Sequence, residues 1–225
     1  MAFLKSLPSA GAVPGRYGAL LILLIVSYLL SAFFTGRWIE ALQVVAFTVA
    51  MLLAVRSSWV SRRAVRVLLI VAVVGVPVMF AISLSSATGD VGTGIANIWT
   101  GLVLLVAAVM IVYRVLSFGT VMLQSIFGAF SAYLVIGLMF ASFFAAIYHL
   151  SGDQFFVTGE KVYGTQTFQY FSFTTLTTLG YGDYTAANSS GQAVAVLEAL
   201  LGQIFLATLV ARLVATFRSP ADRQG

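Results

Sequence analysis

The stretch "TTLTTLGYGDY", residues 174–184, sets a run of hydroxyls directly before two glycines that flank an aromatic ring and lead into a carboxylate. In an extended strand successive carbonyls point in opposite directions. Turning several of them to one side requires φ > 0 at alternate positions, which only glycine reaches cheaply. Gly180 and Gly182 therefore allow Thr178, Leu179, Gly180 and Tyr181 to aim their carbonyl oxygens at one axis, with the Thr178 hydroxyl adding another oxygen below. Such a stack can replace the water around an ion. One segment supplies one oxygen per level, so a closed ring needs several chains.

The rest of the chain supplies the setting. Of 225 residues, 60% are hydrophobic and 8% charged, too few polar side chains to clothe a water-soluble globule, which predicts an integral membrane protein. Apolar windows of the length that crosses roughly 30 Å of hydrocarbon as helix begin near Tyr17, Trp38, Val67, Ile95, Gln124 and Ser189. Six spans are expected, the first of them retained because no convincing small-residue cleavage site follows it.

With a cytoplasmic N-terminus and six crossings, ten of the basic residues (Lys5, Arg16, Arg56, Arg62, Arg63, Arg66, Arg114, Arg212, Arg218 and Arg223) fall inside and two, Arg37 and Lys161, fall outside. Both termini are then cytoplasmic, and the compartment is the cytoplasmic membrane. Glu40, Asp90, Asp153, Glu160 and Asp183 fall on the outer side, where they would concentrate cations. The net charge of +5 is a topology signal. Nucleic-acid binding is not expected, because the bases sit in short loops beside spans. A chain with no cysteine and one histidine has no thiolate chemistry, no disulfides and no evident zinc site, and an enzyme is not expected.

Along the chain, residues 1–16 read as a short cytoplasmic lead and 17–113 as a four-span bundle, with a tight turn at "TGRW" (35–38). The basic stretch "RSSWVSRRAVR" (56–66) reads as an anchor touching anionic lipid, with Trp59 at the interface, or as a lipid-regulatory site. Pro77 predicts a kink in span three, and "SSATGDVGTG" (85–94) predicts an outer loop. Residues 114–124 predict an interfacial connector and 125–218 a two-span pore domain, followed by a short tail at 219–225. After the polar loop "SGDQFFVTGEKVYG" (151–164), "TQTFQYFSFTTLT" (165–177) is too short to cross and too apolar for an ordinary loop, which suggests a re-entrant helix. Non-helical backbone beyond such a half-helix survives only where protein buries it or where it lines an aqueous cavity.

"TTLGYGD" (177–183), together with its hydroxyl-rich half-helix, resembles the signature of tetrameric potassium channels, whose carbonyl filter is the handiest known case of this chemistry. The resemblance runs from about Phe127 onward, with "YLVIGLMFASFFAAIYHL" (133–150) and "AVLEALLGQIFLATLVARLV" (195–214) in the places of the outer and inner pore-lining spans. It implies an all-α membrane protein of six transmembrane helices plus a re-entrant pore helix (165–177), a filter at 178–182 and an inner helix at 189–217. It also implies assembly as a homotetramer that conducts K+ passively and needs no cofactor. Thr178, Leu179, Gly180, Tyr181 and Gly182 would be the filter, with K+ held at the first four. Asp183 would sit just above, and the Tyr181 ring would turn from the ions into a collar of Tyr170 and Phe171. Leu179 stands where valine or isoleucine is usual, the aromatic pair is Tyr-Phe where several relatives have tryptophans, and Thr174 replaces a residue that is acidic in some relatives.

Span four carries no arginine at every third position and Arg114 stands alone at its inner end, so strong voltage dependence is not expected. Gly202 fits either a hinge in the inner helix or close packing on the pore helix. If Gln203 faces the axis, Leu206, Val210 and Val214 follow on the same face, and a valine ring could close the pore by dewetting. Glu198, roughly 14 Å deep by helix rise, reads as a carboxyl bonded to Ser172 or Thr175 that holds the filter's scaffold, or as a titrating gate. His149 reads as an external pH sensor or as an interfacial hydrogen-bonding group. Two other readings stay open beside the potassium channel: a less selective cation pore, and a non-conducting regulatory subunit or scaffold that keeps the pore fold.

Overall fold

Small residues decide how the longest helices meet. In the computed structural model, residues 16–34, 36–57, 75, 77, 78, 81, 82, 89–117, 123–158 and 163–217 are described. Their named elements are α1 (Arg16–Phe33), α2 (Arg37–Ser57), α3 (Gly89–Ser117), α4 (Leu123–Ser151), α5 (Thr165–Leu176) and α6 (Ser189–Phe217). The chain lead at 1–15, the basic stretch at 58–66, most of span three, residues 83–88 of the outer loop and the tail at 219–225 lie outside the described residues.

α3 and α4 form an antiparallel hairpin that is the most extensive helix pairing in the chain. Gly94 and Gly101 of α3 let it lie directly against Leu150 and Phe143 of α4. A Cβ would approach Leu150 Cγ to 2.6 Å at the first position and Phe143 Cε1 to 2.5 Å at the second. At the other end Gly128 of α4 admits Val115 of α3 and the Tyr17 ring of α1. A hydrogen bond between His149 Nδ1 and Asp90 Oδ1 at 3.2 Å closes the outer end of the hairpin.

This hairpin corrects one expectation. The expected loop at 85–94 is helical from Gly89, because Asp90 stands in the first turn, where an acid suits the helix dipole, and because Gly94 is buried against Leu150 of α4. Of the expected connector at 114–124, residues 118–122 lie outside the described residues; α3 runs on through Ser117 and α4 begins at Leu123.

Three helices of the described chain are long and apolar enough to cross a membrane: Gly89–Ser117, Gln124–Ser151 and Ser189–Arg212. Tyr17–Phe33 and Leu42–Ala54 are shorter apolar helices packed beside them.

Five phenylalanines from α4, α5 and the loop between them gather into one cluster. Phe144 of α4, Phe155 and Phe156 of the following loop, and Phe168 and Phe171 of α5 are all buried. The Phe156 ring lies 4.7 to 5.5 Å from those of Phe155, Tyr163, Phe168, Phe171 and Tyr184, the spacing of favourable edge and offset contacts. The backbone is fastened at the same place. Phe156 and Ala186 form an antiparallel bridge, Val157 N–H donates to Thr185 O at 3.0 Å, and Ala187 N–H donates to Phe155 O at 2.7 Å. The segment before α5 is thereby tied to the segment that leaves the glycines. Asn188 Oδ1 then accepts from Gly191 N–H at 2.7 Å and starts α6 as an N-cap.

Removing the central ring should unfasten both segments together. Phe156→Ala is expected to destabilise the protein by about 3 kcal/mol, read as a lowered melting temperature of the purified chain in detergent.

Candidate functional site: the short helix α5 and its glycine segment

α5 is 12 residues long and ends on Leu176, with Thr177 as its C-cap, one residue short of the expected 165–177. Its faces are used differently. Phe168, Phe171 and Leu176 are buried, Gln169 Oε1 accepts from Ser31 Oγ of α1 at 2.5 Å, and Phe173 meets the Tyr28 ring edge-on at 5.2 Å. Gly137 of α4 gives Phe173 its place, since a Cβ there would come within 2.5 Å of the ring.

After the C-cap the backbone changes character. Thr178 has φ 57°, Gly180 φ 47° and Gly182 φ 81°, while Leu179 and Tyr181 between them are not in the positive region. The sign of φ thus alternates over five consecutive residues. The glycines take the conformation their type permits. Thr178 was not legible, because a β-branched residue at φ > 0 is a genuine outlier that costs on the order of 1–3 kcal/mol.

Surrounding bonds hold this strained turn. The Thr174 carbonyl accepts from both Leu179 N–H (2.8 Å) and Gly180 N–H (3.1 Å), and Thr178 N–H donates to Thr175 O at 2.9 Å. Thr178 Oγ1 donates to Thr177 O at 2.7 Å and lies 3.4 Å from Gln203 Nε2 of α6. The helix-end carbonyl of Leu176 accepts from the Tyr133 hydroxyl of α4 at 3.1 Å, and the Tyr133 ring stacks on Phe205 of α6.

Above the glycines, Tyr170 and Tyr181 lie parallel with centroids 6.4 Å apart. The Tyr170 hydroxyl donates to Asp183 Oδ2 at 2.7 Å. That hydrogen bond to the carboxylate holds the phenol proton and pushes the Tyr170 pKa up to about 12. Asp183 Oδ1 also accepts from Tyr184 N–H at 3.0 Å. Of the two residues expected in a collar around Tyr181, Tyr170 lies beside its ring within the chain, while the Phe171 ring, one residue along the helix, turns the other way, to within 4.9 Å of Phe144 and 5.1 Å of Phe156.

α6 touches α5 at two places one turn apart. Glu198, fully buried, has Oε1 at 2.5 Å from Ser172 Oγ, and Ser172 Oγ is also 2.6 Å from the Gly137 carbonyl. Thr175, the other partner considered for Glu198, makes no recorded bond to it. At Gly202 a Cβ would sit 2.5 Å from the Leu176 carbonyl oxygen, and α6 runs unbroken through this position. Gly202 is thus closely packed on α5, one of the two roles open for it. Leu206, Val210 and Val214 lie on the exposed side of α6.

At the far end of α6, Arg212 Nη1 donates to the Val115 carbonyl of α3. His149, paired with Asp90, ties two helix ends and has no contact with the glycine segment. No group of three or more metal-ligating side chains occurs among the described residues.

A family model described as an ion channel matches residues 98–219, just over half of the chain. The matched region takes in α3 from residue 98 onward, α4, the short α5, the glycine segment and α6. The chain belongs to this ion-channel family, and with its apolar helices it is a membrane protein and a channel rather than an enzyme. No curated protein and no solved structure matches it.

Two substitutions test the site's supports. Gly202→Ala presses a methyl onto a backbone oxygen that cannot swing away, and a loss of about 1–3 kcal/mol is expected, measured as a lowered melting temperature. Tyr170→Phe keeps the stacking on Tyr181 but drops the bond to Asp183. The expected outcome is a channel that still opens and whose current decays faster during sustained activity, measured in planar bilayers against the parent protein.

Proposed function

We propose that this ion channel is selective for potassium and conducts K+ passively through a filter of main-chain oxygens at Thr178, Leu179, Gly180, Tyr181 and Gly182. The observation that carries this reading is the alternation of φ sign at Thr178, Gly180 and Gly182, the backbone pattern that turns successive carbonyls of a strand to one side. Rings of carbonyls that replace an ion's hydration shell are the known means of potassium selection. The C-terminal end of α5 adds about half a negative charge directly below them, where it favours a monovalent cation.

Assembly as a homotetramer follows from the same chemistry, since one chain gives one oxygen per level. Burial supports it: 72% of the α4 span is covered within the chain and only 11% of the α6 span. Leu179 and Tyr181 are likewise 55% and 67% exposed. The surface left open therefore runs from the glycine segment down α6, and three more copies would cover it. In this assembly Leu206, Val210 and Val214 line the lower pore, where aliphatic rings can close it by dewetting. Thr174, Asp183 and Glu198 act as filter supports, and Gln203 stands at the filter's base.

Six spans, with both termini in the cytoplasm and the chain in the cytoplasmic membrane, fit the distribution of basic residues. Membrane lipid fills the apolar cavity of about 520 Å³ between α3, α4 and α6. Only Arg114 offers a gating charge on α3, so opening does not depend strongly on voltage.

Purified protein in vesicles tests this directly, with ion-driven flux measured for potassium and for sodium and with barium as blocker. Potassium flux well above sodium flux and sensitive to barium is expected. Gly180→Ala, which forces a side chain into φ 47°, should remove the preference. Equal fluxes would leave a less selective cation pore. No flux at any voltage, pH or lipid composition, or a monomer by native mass measurement, would overturn the proposal.

A further inference from the structure

Three helices meet at one hydroxyl. Ser172 Oγ of α5 is buried 2.6 Å from the Gly137 carbonyl oxygen of α4 and 2.5 Å from Glu198 Oε1 of α6. Both distances are ordinary for an O–H···O bond. A serine hydroxyl, however, has a single hydrogen, and a carbonyl can only accept.

If that hydrogen points at an ionised Glu198, the Gly137 contact is a bare approach of two lone-pair-bearing oxygens. If it points at Gly137, the Glu198 contact becomes the bare one. Both contacts are satisfied together only when the second proton comes from the carboxyl.

The surroundings favour the same state. Glu198 has no exposure within a single chain, so association with further copies cannot hydrate it. Its Oε2 has no hydrogen-bond partner. An ionised carboxylate would bury a full charge with one oxygen unsatisfied, which is far costlier than burying a neutral acid.

No cationic side chain pairs with Glu198 among the described residues. From α4 the titratable group facing it is Tyr133, whose hydroxyl is committed to the Leu176 carbonyl at 3.1 Å. From α5 it meets the Ser172 hydroxyl itself.

We propose that Glu198 is a proton-bearing positioning residue: its carboxyl O–H donates to Ser172 Oγ while the Ser172 O–H donates to the Gly137 carbonyl. This relay fixes α5 between α4 and α6 one turn above the contact of Gly202 with Leu176. A neutral acid can do so in a site where a charge would also compete, through the low-dielectric interior, with the oxygens proposed to hold the ion. The consequence for conduction rests on the potassium-pore reading above. The placement of the proton does not.

Infrared difference spectra of the full chain in vesicles, Glu198→Gln against wild type at neutral pH, read the proton directly. The expected result is a carbonyl band of a protonated carboxyl that the substitution removes, since the other acids are common to both samples. In Ser172→Ala the band should persist at the frequency of an acid without a strong acceptor, which also serves if Glu198→Gln fails to fold.

Glu198→Gln, whose amide can donate to Ser172, should keep potassium flux within about twofold of wild type. Glu198→Ala, which leaves Ser172 Oγ without its donor, should lose about tenfold, the worth of one unmet buried bond. Carboxylate bands in place of the acid band, or an equal loss of flux in the Gln and Ala variants, would overturn the proposal. A wild type that shows the acid band but passes no potassium would leave Glu198's proton in place and remove the pore reading instead.

Discussion

Backbone that is neither helix nor closed sheet cannot sit at membrane depth unless protein or water satisfies it, and the structure is organised around the few residues that break the helical rule. From Thr178 to Asp183 the chain gives up regular helical bonding, and φ changes sign at each step from Thr178 to Gly182. Only the first amides of this stretch bond back to the end of α5, through the carbonyls of Thr174 and Thr175.

Holding a strained segment in one conformation requires a stiff frame, and the frame has two independent parts. On the outer side, aromatic rings on α4, the loop and α5 pack edge to face around Phe156, and the bridge to Ala186 pins the chain on both sides of the segment. On the inner side, α6 grips α5 through Glu198 on Ser172 and through Gly202 on the Leu176 carbonyl. Both frame elements pull against the conformational cost at Thr178, whose φ would otherwise relax. Movement of α6 must therefore be felt by α5, because the two contacts sit one turn apart on both helices and leave no slack between them.

Much of this was legible in order along the chain. The bounds of α6, 189–217, could be read from the apolar run after "NSS", since a long apolar stretch in a greasy chain has one stable state. The half-helix at 165–176 could be read because its length falls between a loop and a span. Glu198 could be singled out because a lone carboxyl in an apolar run must find a partner, and Ser172 lies on the adjoining half-helix. What misled was local polarity: "GDVGTG" looks like a loop by composition and is the first turns of α3, where Gly94 serves contact with α4 rather than flexibility. The same holds for 114–117, whose Arg and Ser continue the helix instead of ending it.

By itself the sequence determined which residues could adopt φ > 0 in tandem, that the chain lives in hydrocarbon, and where each apolar run begins, because these depend only on residue type and on spacing along the chain. Tertiary structure decided the rest. Thr178 takes a conformation that its own side chain opposes, held there by the Thr174 and Thr175 carbonyls around it and by Gln203 midway along α6. Phe171 turns from Tyr181 into the aromatic cluster because consecutive residues on a helix point about 100° apart and only Tyr170 faces the glycines. Gly202 packs against α5 because a backbone oxygen 26 residues earlier in the chain fills the space a side chain would need. These outcomes are set by what lies across from a residue, and no reading along the chain contains that.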